Sequence, residues 1–294
     1  MQSCTACPRY CGAERGTAEG GGVCASGTLP RVARAALHFG EEPCITGARG
    51  SGTVFFSGCA LRCEFCQNAK ISLSGFGETV TVERLREIYA ELTALGAENI
   101  NLVTASHFTE AVAESLGPGP EIPVVWNSSG YESVETLRLL SGRVNVYMPD
   151  FKYALTKPAA DYSNAPDYPR AAEDAILEMH RQVGDCKISP DGVLESGLLV
   201  RHLVLPGNLE NTFRVIDRFA ELFAPGEALF SLMTQYTPVR ESRFPELNRK
   251  LSRAEYEAAV AYLEDSGIGD GYYQDEPDGS EADWIPDFDL TGVP

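Results

Sequence analysis

From residue 53 onward the chain alternates short apolar runs, typical of buried strands, with longer segments in which apolar residues repeat at helical spacing. Such alternation predicts a parallel sheet whose strands are joined by right-handed helical crossovers. Six strand–helix units are too few to close an eightfold barrel, so the sequence predicts an α/β fold, a partial (β/α)6 barrel that is open on one side. The predicted strands span residues 53–57, 99–104, 122–126, 144–148, 198–205 and 228–233.

The helices between these strands are read from apolar residues three and four positions apart. In the first helix these residues are Leu85, Ile88, Leu92 and Leu95. A long polar insertion, residues 150–169, interrupts the rhythm and is predicted to be a functional or mobile loop. The predicted helices span residues 82–95, 109–116, 133–140, 170–183, 212–223 and 252–265.

Three cysteines in a C-x3-C-x2-C array, Cys59, Cys63 and Cys66, directly follow the first predicted strand. Iron–sulfur clusters take cysteine thiolates, usually four, so three thiolates would leave one iron of a 4Fe-4S cluster open to another ligand. A zinc site or a set of buried thiols is the alternative. The position of the array favours a cofactor, because parallel α/β folds bind cofactors at the carboxyl ends of their strands.

Four further cysteines lie near the start of the chain: Cys4, Cys7, Cys11 and Cys24. The segment around them is too short and too polar to bury a core, and small segments of this kind are often held by a metal. Four thiolates suit a structural zinc or a second, fully ligated cluster. Free thiols in a flexible leader are the alternative.

These features divide the chain into four parts. Residues 1–30 are predicted to be a cysteine-rich metal knuckle, residues 31–52 a linker, and residues 53–268 the barrel. Cys44 in the linker is interpreted as a small buried residue rather than a ligand. Residues 269–294 form an acidic tail, either a loose end or a strap over the barrel; three apolar residues favour the strap: Trp284, Ile285 and Phe288.

The composition limits the partners and the location of the protein. Lys and Arg number 24 and Asp and Glu 42, a net charge of −18, so no nucleic-acid partner is expected. No apolar run reaches the roughly 18 residues of a membrane span, and the first residues lack the pattern of a signal peptide. Nine cysteines in a chain expected to be cytoplasmic favour metal over disulfides. A monomer is expected.

Polar residues follow almost every predicted strand at the edge where parallel strands place cofactors. Each has an ordinary alternative: Ser106 as a helix cap, Asn127 and Ser128 as turn residues, His202 as a core histidine. Taken together, they predict a cofactor site at one mouth of the barrel. The candidate residues are Thr104, Ser106, His107, Asn127, Ser128, Asp150, Lys152, Arg201 and His202.

The cysteine array, with an aromatic residue before its third cysteine, resembles the motif of the radical S-adenosylmethionine (SAM) enzymes. The wider pattern resembles their pyruvate formate-lyase activating enzyme-like branch, and within it an uncharacterised subfamily with an N-terminal C-x2-C-P-R-x-C-G element. The likeness covers nearly the whole chain. Its stretches are residues 4–12, 42–44, 55–59, 99–104, 149–153, 201–207 and 285–288.

This resemblance implies a radical SAM barrel in which Cys59, Cys63 and Cys66 ligate a 4Fe-4S cluster. The open iron would chelate the amino and carboxylate groups of SAM, whose reductive cleavage gives methionine and a 5′-deoxyadenosyl radical. Phe65 would lie near the adenine, and Asn68 is also expected to contact the cofactor.

The resemblance also implies roles at the other strand ends. Asp150 and Lys152 match an Asp-x-Lys pair close to the methionyl end of SAM. Asn127 and Ser128 replace an Asp-Thr pair of the activating enzymes, which removes a carboxylate and puts a cation site like theirs in doubt. The usual Gly-Gly-Glu is absent, and its place is taken by three polar residues: Thr104, Ser106 and His107.

The function implied is the abstraction of a hydrogen atom from a substrate. In the activating enzymes this substrate is a glycyl radical enzyme, and flavodoxin or ferredoxin is the expected reductant. Three alternatives stay open: a radical SAM enzyme acting on a small molecule or peptide, a non-catalytic iron–sulfur protein, and a zinc-only structural protein. Formation of deoxyadenosine separates the first of these from the other two.

Overall fold

The structure, a computed structural model, describes residues 4–117, 119–274 and 285–294. Within those residues one ten-stranded sheet forms the centre of the molecule. Its strands are β1 (Arg31–His38), β2 (Ser51–Phe56), β3 (Glu78–Thr79), β4 (Ile100–Val103), β5 (Val124–Ser128), β6 (Val146–Pro149), β7 (Lys187–Ile188), β8 (Leu194–Leu203), β9 (Leu229–Met233) and β10 (Gly271–Tyr273).

The strand order is β10-β9-β8-β6-β5-β4-β2-β1-β3, and neighbours from β10 to β2 run parallel. The six predicted strands are therefore present, and the predicted α/β fold with a parallel sheet is confirmed. Phe55 of β2 and Tyr272 of β10 line the same cavity, so the sheet curls until its two sides face each other.

Helices cover the outside of this curled sheet. They are α1 (Pro43–Thr46), α2 (Ala69–Ser72), α3 (Val82–Ala94), α4 (Thr109–Ser115), α5 (Val134–Leu137), α6 (Thr156–Ser163), α7 (Tyr168–Val183), α8 (Leu209–Leu222) and α9 (Arg253–Asp265). The side chain of Ser252 and that of Glu255 form the predicted capping box of α9. Among the described helices, none is long and apolar enough to cross a membrane.

Most residues on the apolar stripes of these helices are buried or half-buried, and Leu95 is the exposed exception. Leu85, Ile88 and Leu92 of α3 are buried against the sheet. Leu95, placed on the same stripe by the sequence, is 65% exposed because α3 ends at Ala94 and Leu95 caps it. A residue just beyond the last turn of the helix therefore no longer lies on its buried face.

Three segments differ from the sequence interpretation. Residues 31–52 are not only a linker, because β1 pairs antiparallel with β2 from Val32 to His38. The insertion 150–169 is not a loop throughout, because it contains α6 and the start of α7. In the acidic tail, β10 extends the sheet, and Phe288 is buried against Phe55 beside β1. Trp284 lies outside the described residues.

Candidate cofactor site

A cavity of about 510 Å³ occupies the inside of the curled sheet. It reaches from the carboxyl ends of the strands, where the loop that follows β2 lies, to residues 38–43, which precede that strand. Eleven of the fourteen residues predicted to bind a cluster or SAM at the strand ends line it: Cys59, Cys63, Cys66, Phe65, Asn68, Thr104, Asn127, Ser128, Asp150, Lys152 and Arg201.

The loop after β2, residues 57–68, is called here the cluster loop. It leaves the strand through Gly58, whose φ of +84° lies in the region that favours glycine. A Cβ at this position would lie 2.8 Å from the backbone oxygen of Cys24 and 3.0 Å from His107 Nε2. The glycine therefore allows the N-terminal segment to approach the loop closely.

The three thiols of the cluster loop lie on the cavity wall in polar company. Cys63 Sγ accepts a hydrogen bond from Ser163 Oγ at 3.0 Å, and Cys66 Sγ lies 3.1 Å from Ser72 Oγ. Burial raises the pKa of the Cys63 thiol to about 12, which the Lys152 ammonium partly opposes. Burial also raises the pKa of Cys66. The thiols would thus lose their protons only to a metal centre.

The donor set fits an iron–sulfur cluster. Cys59 and Cys66 are close enough to Cys63 for their charges to raise its pKa further, so the three thiols share one wall. As the side chains of the described residues stand, no three His, Cys, Asp or Glu groups are gathered tightly around a single point where one metal ion could sit. Thiolates are the ligands that iron–sulfur clusters take, and the array supplies three.

Inside the cavity, Arg201 connects three polar side chains. Its guanidinium donates to Asp150 Oδ1 at 3.1 Å, to Glu41 Oε2 at 2.9 Å and to Asn127 Oδ1 at 2.7 Å. Asn127, where the resemblance puts a cation site in doubt, thus shares with Asp150 a cation that the chain itself provides. Because these groups are buried, removal of any one partner would leave an unpaired charge in the interior, which costs free energy of folding.

Asp150 and Lys152 form a close pair, with Lys152 Nζ 2.5 Å from Asp150 Oδ2. Burial acts to raise the pKa of Asp150, but the charges of Lys152 and Arg201 outweigh it and hold that pKa below its usual range. Burial likewise acts against the charge of Lys152, and Asp150 outweighs it, so the pKa of Lys152 is raised. The pair is ionised, with the ammonium facing Cys63.

A buried carboxyl group that the sequence analysis missed lies behind Ser128. Glu132 accepts hydrogen bonds from Trp126 Nε1 at 2.7 Å and from Ser128 Oγ at 2.5 Å. Burial raises the pKa of Glu132, although Ser128, Trp126 and Ser106 donate to it. Ser106 therefore lies behind the cavity wall, where it serves Glu132, and does not line the cavity.

The two histidines predicted to bind the cofactor lie outside the cavity. His202 Nδ1 is 2.8 Å from the carbonyl of Phe151 and Nε2 is 3.0 Å from Thr212 Oγ1, so both ring nitrogens are bonded in the core. This placement favours the alternative of a core histidine. His107 Nε2 is 2.9 Å from the carbonyl of Ser57, which ties it to the start of the cluster loop rather than to the cavity.

Thr104 and Phe65 occupy the places that the sequence predicts at the cavity. Thr104 has a φ of +62°, a left-handed conformation that β-branched residues rarely adopt and that is typical of functional sites. The Phe65 ring packs edge-on against Tyr153 and Tyr236, each with a centroid distance of 6.4 Å. Asn68 directly precedes α2. The roles of these residues toward a cofactor stay predictions.

The N-terminal cysteines lie together on the outer side of the cluster loop. Burial raises the pKa of the Cys7 thiol to about 11, and nearby thiols act in the same direction: Cys24, Cys4 and Cys11. Arg9 holds this segment to the cluster loop, because its guanidinium donates to the carbonyls of Ala60 at 3.0 Å and Ser163 at 2.8 Å. The identity of a metal here stays a prediction.

Two acidic residues of the cavity, Glu41 and Glu42, have no role in the sequence analysis. They lie after β1 and just before α1, whose Ile45 carbonyl accepts a hydrogen bond from Asn99 at the start of β4. The chain therefore crosses the amino ends of the strands and inserts these carboxyl groups from below. The stretch Glu42-Pro43-Cys44 belongs to the family resemblance, but it does not indicate where in the fold these carboxyl groups lie.

Comparison with known proteins adds a family match. Residues 46–137, which include the cluster loop, match the family model of the 4Fe-4S single cluster domain. The fold and the site thus define an α/β protein with a cysteine array of iron–sulfur type. The match supports the predicted 4Fe-4S cluster and leaves the N-terminal cysteines outside its bounds.

Among individual proteins, the chain is 30% identical over 239 residues to the uncharacterized protein MJ0674 of Methanocaldococcus jannaschii, covering 78% of this chain and 65% of that protein. Among solved structures, Streptococcus suis SuiB bound to S-adenosylmethionine matches with a TM-score of 0.48 and 11% identity over 78% of this chain and 50% of SuiB. SuiB bound to the precursor peptide SuiA matches with a TM-score of 0.44 and 12% identity, covering 74% and 46%.

Proposed function

We propose that this protein is a radical SAM enzyme that abstracts a hydrogen atom from a carbon of its substrate. The observation that carries the proposal is the wall of three thiols, Cys59, Cys63 and Cys66, in a cavity that also holds an ionised Lys152–Asp150 pair. The match of residues 46–137 to a 4Fe-4S domain supports the cluster. When bound, the cluster and SAM supply the 5′-deoxyadenosyl radical.

The chain's own residues prepare the cavity for a charged cofactor. Lys152 faces Cys63 and offsets the negative charge that cluster thiolates carry. Asp150 holds the Lys152 ammonium in place, and Phe65 offers an apolar face for an adenine. The buried wall of the cavity limits the access of water to a reactive intermediate, which is the protein's main task in cofactor chemistry.

We further propose that the substrate is a glycyl radical enzyme or, alternatively, a small molecule or peptide. Dependence on a large protein partner separates these two. A flavodoxin or ferredoxin is proposed as the reductant, and it would approach on the side of the cluster loop that residues 4–30 leave accessible. We also propose that the N-terminal cysteines hold zinc or a second cluster.

The test is made on anaerobically reconstituted protein that is reduced with dithionite and given SAM. We expect 5′-deoxyadenosine, detected by mass spectrometry, from the wild type and none above background from Cys63→Ala. Cys186→Ala is the matched control, because that thiol lies outside the cavity and contacts the carbonyl of Leu198. Deoxyadenosine at wild-type level from Cys63→Ala, or none from wild type with full iron content and substrate candidates present, contradicts the proposal.

A further inference from the structure

The floor of the cavity contains a carboxyl group that bonds to Ser231 but has one oxygen without a hydrogen-bond partner. The side chain of Glu42 is 9% exposed, and its Oε2 forms no hydrogen bond with any described residue. Arg201 Nη1 lies 3.7 Å from that oxygen, beyond hydrogen-bond distance. Buried polar atoms in folded proteins are almost always bonded, so an exception that faces a cavity indicates a ligand.

The neighbouring carboxylates are already fully engaged. Glu41 accepts from Arg201, Asn101 and Asn127, and Asp150 accepts from Arg201 and Lys152. Every oxygen of these two carboxylates therefore has a donor. Glu42 is left as the acceptor that is free to bind a ligand.

The charges of this part of the cavity would not balance if every group were ionised. Three carboxyl groups, on Glu41, Glu42 and Asp150, face two cations, on Arg201 and Lys152. Burial raises the pKa of Glu42, and the Glu41 carboxylate adds to this, although Arg201 opposes it. Glu42 therefore favours its protonated form, and a cationic group placed beside it would stabilise the carboxylate in place of that proton.

Glu42 lies on the part of the cavity that is remote in the sheet from the cysteines. Three cavity residues lie side by side across neighbouring strands there: Arg201 of β8 is opposite Ser231 of β9, which is opposite Tyr272 of β10. The cluster loop follows β2, and four strands separate β2 from β9. A second buried acceptor without a partner, Gln235 Oε1, also lines the cavity just beyond β9.

We infer that this floor is a substrate subsite, in which Glu42 binds the positively charged amino group of the molecule that the enzyme acts on. That the bound molecule is the substrate rests on the proposed function, whereas the binding of an ammonium group at Glu42 does not depend on it. An organic ammonium suits the site better than a metal ion, since a metal needs several free ligand oxygens and the adjacent carboxylates are already bonded. An ammonium can be bound by a single carboxylate oxygen, which Glu42 Oε2 supplies.

The test compares two probes of equal length, n-pentylammonium and n-pentanol, by calorimetric titration of the reconstituted protein saturated with SAM. A charge-assisted hydrogen bond in a buried site predicts that pentylammonium binds at least about tenfold tighter than pentanol. Glu42→Gln should abolish this preference. Glu110→Gln, which changes an exposed glutamate of α4, should keep it.

Equal binding of the two probes to the wild type overturns the inference, as does a preference that persists in Glu42→Gln. Competition between pentylammonium and SAM also overturns it, because Glu42 would then bind the amino group of SAM. The wild-type comparison decides the matter even where Glu42→Gln does not fold. Deoxyadenosine measured in the same preparation after reduction with dithionite, with substrate candidates present, keeps the two proposals apart. A probe preference without deoxyadenosine upholds the subsite and refutes the radical SAM function.

Discussion

The two groups of cysteines in this chain have the same donor atoms but different surroundings. Cys59, Cys63 and Cys66 lie at the end of a central strand, on the wall of a cavity, with a lysine beside them. The N-terminal group lies outside the sheet and is joined to the cluster loop mainly through backbone carbonyls that bind Arg9. The first setting is suited to an exchangeable ligand, whereas the second is suited to holding a short segment in place.

The largest difference between the groups should appear in activity. Cys63→Ala should remove deoxyadenosine formation completely, since a cluster ligand is lost. Cys7→Ala should remove the metal that we propose for the N-terminal segment but keep the three thiols of the cavity, so deoxyadenosine should persist at a reduced level. Metal analysis of both variants, together with product measured per cluster, checks this prediction. Complete loss in Cys7→Ala at full cluster content would mean that the N-terminal cysteines take part in the chemistry.

Acid should also distinguish the two regions, because residues 4–30 contain no histidine and the sheet region contains buried ones. Burial lowers the pKa of His202 to about 4. Unfolded chains therefore bind more protons than folded ones between pH 6.5 and 4, and stability falls as the pH falls through that window. The loss is about 1.4 kcal/mol per pH unit, or about 3 kcal/mol in total for this group.

Denaturant unfolding of the wild type at several pH values measures this loss. His107, whose pKa burial also lowers to about 4, and His38, whose pKa burial lowers as well, add to this dependence. His202→Gln should therefore reduce the slope by about 1.4 kcal/mol per pH unit without removing it. An unchanged slope in His202→Gln would show that the residue is charged in the folded protein.

The difference between the two regions also explains what the sequence could and could not predict. The six parallel strands are continuous apolar runs, because both of their faces are buried, and such runs are visible in the sequence. Strand β1 was missed because it lies at the antiparallel side of the sheet, where two arginines interrupt a short run of mostly small apolar residues in Arg31–His38. The polar residues at strand ends were found because parallel strands place their carboxyl ends together.

The floor of the cavity could not be predicted in the same way. Glu41 and Glu42 reach it only because an unpredicted strand, β1, returns the chain to the amino ends of the sheet. Likewise, nothing in the spacing of His202 shows that its side chain is directed to Thr212 of α8 rather than to the cavity. Contacts between segments distant in sequence decide both cases, and local patterns do not record them.

The smallest effect concerns the junction between the two cysteine groups. Arg9 bonds to carbonyls of the cluster loop and of the α6 end, including Leu61 at 3.3 Å and Asn164. Arg9→Ala leaves these carbonyls without their donor and should cost about 2 kcal/mol in the free energy of unfolding.

Arg62 crosses the same junction in the other direction, but with one bond of 3.3 Å to the carbonyl of Val23, so Arg62→Ala should cost only about 0.5 kcal/mol. Denaturant unfolding of the two variants measures the ratio. If both changes cost the same, the N-terminal segment is held by its metal rather than by Arg9, and the two groups of cysteines are more independent than their contacts indicate.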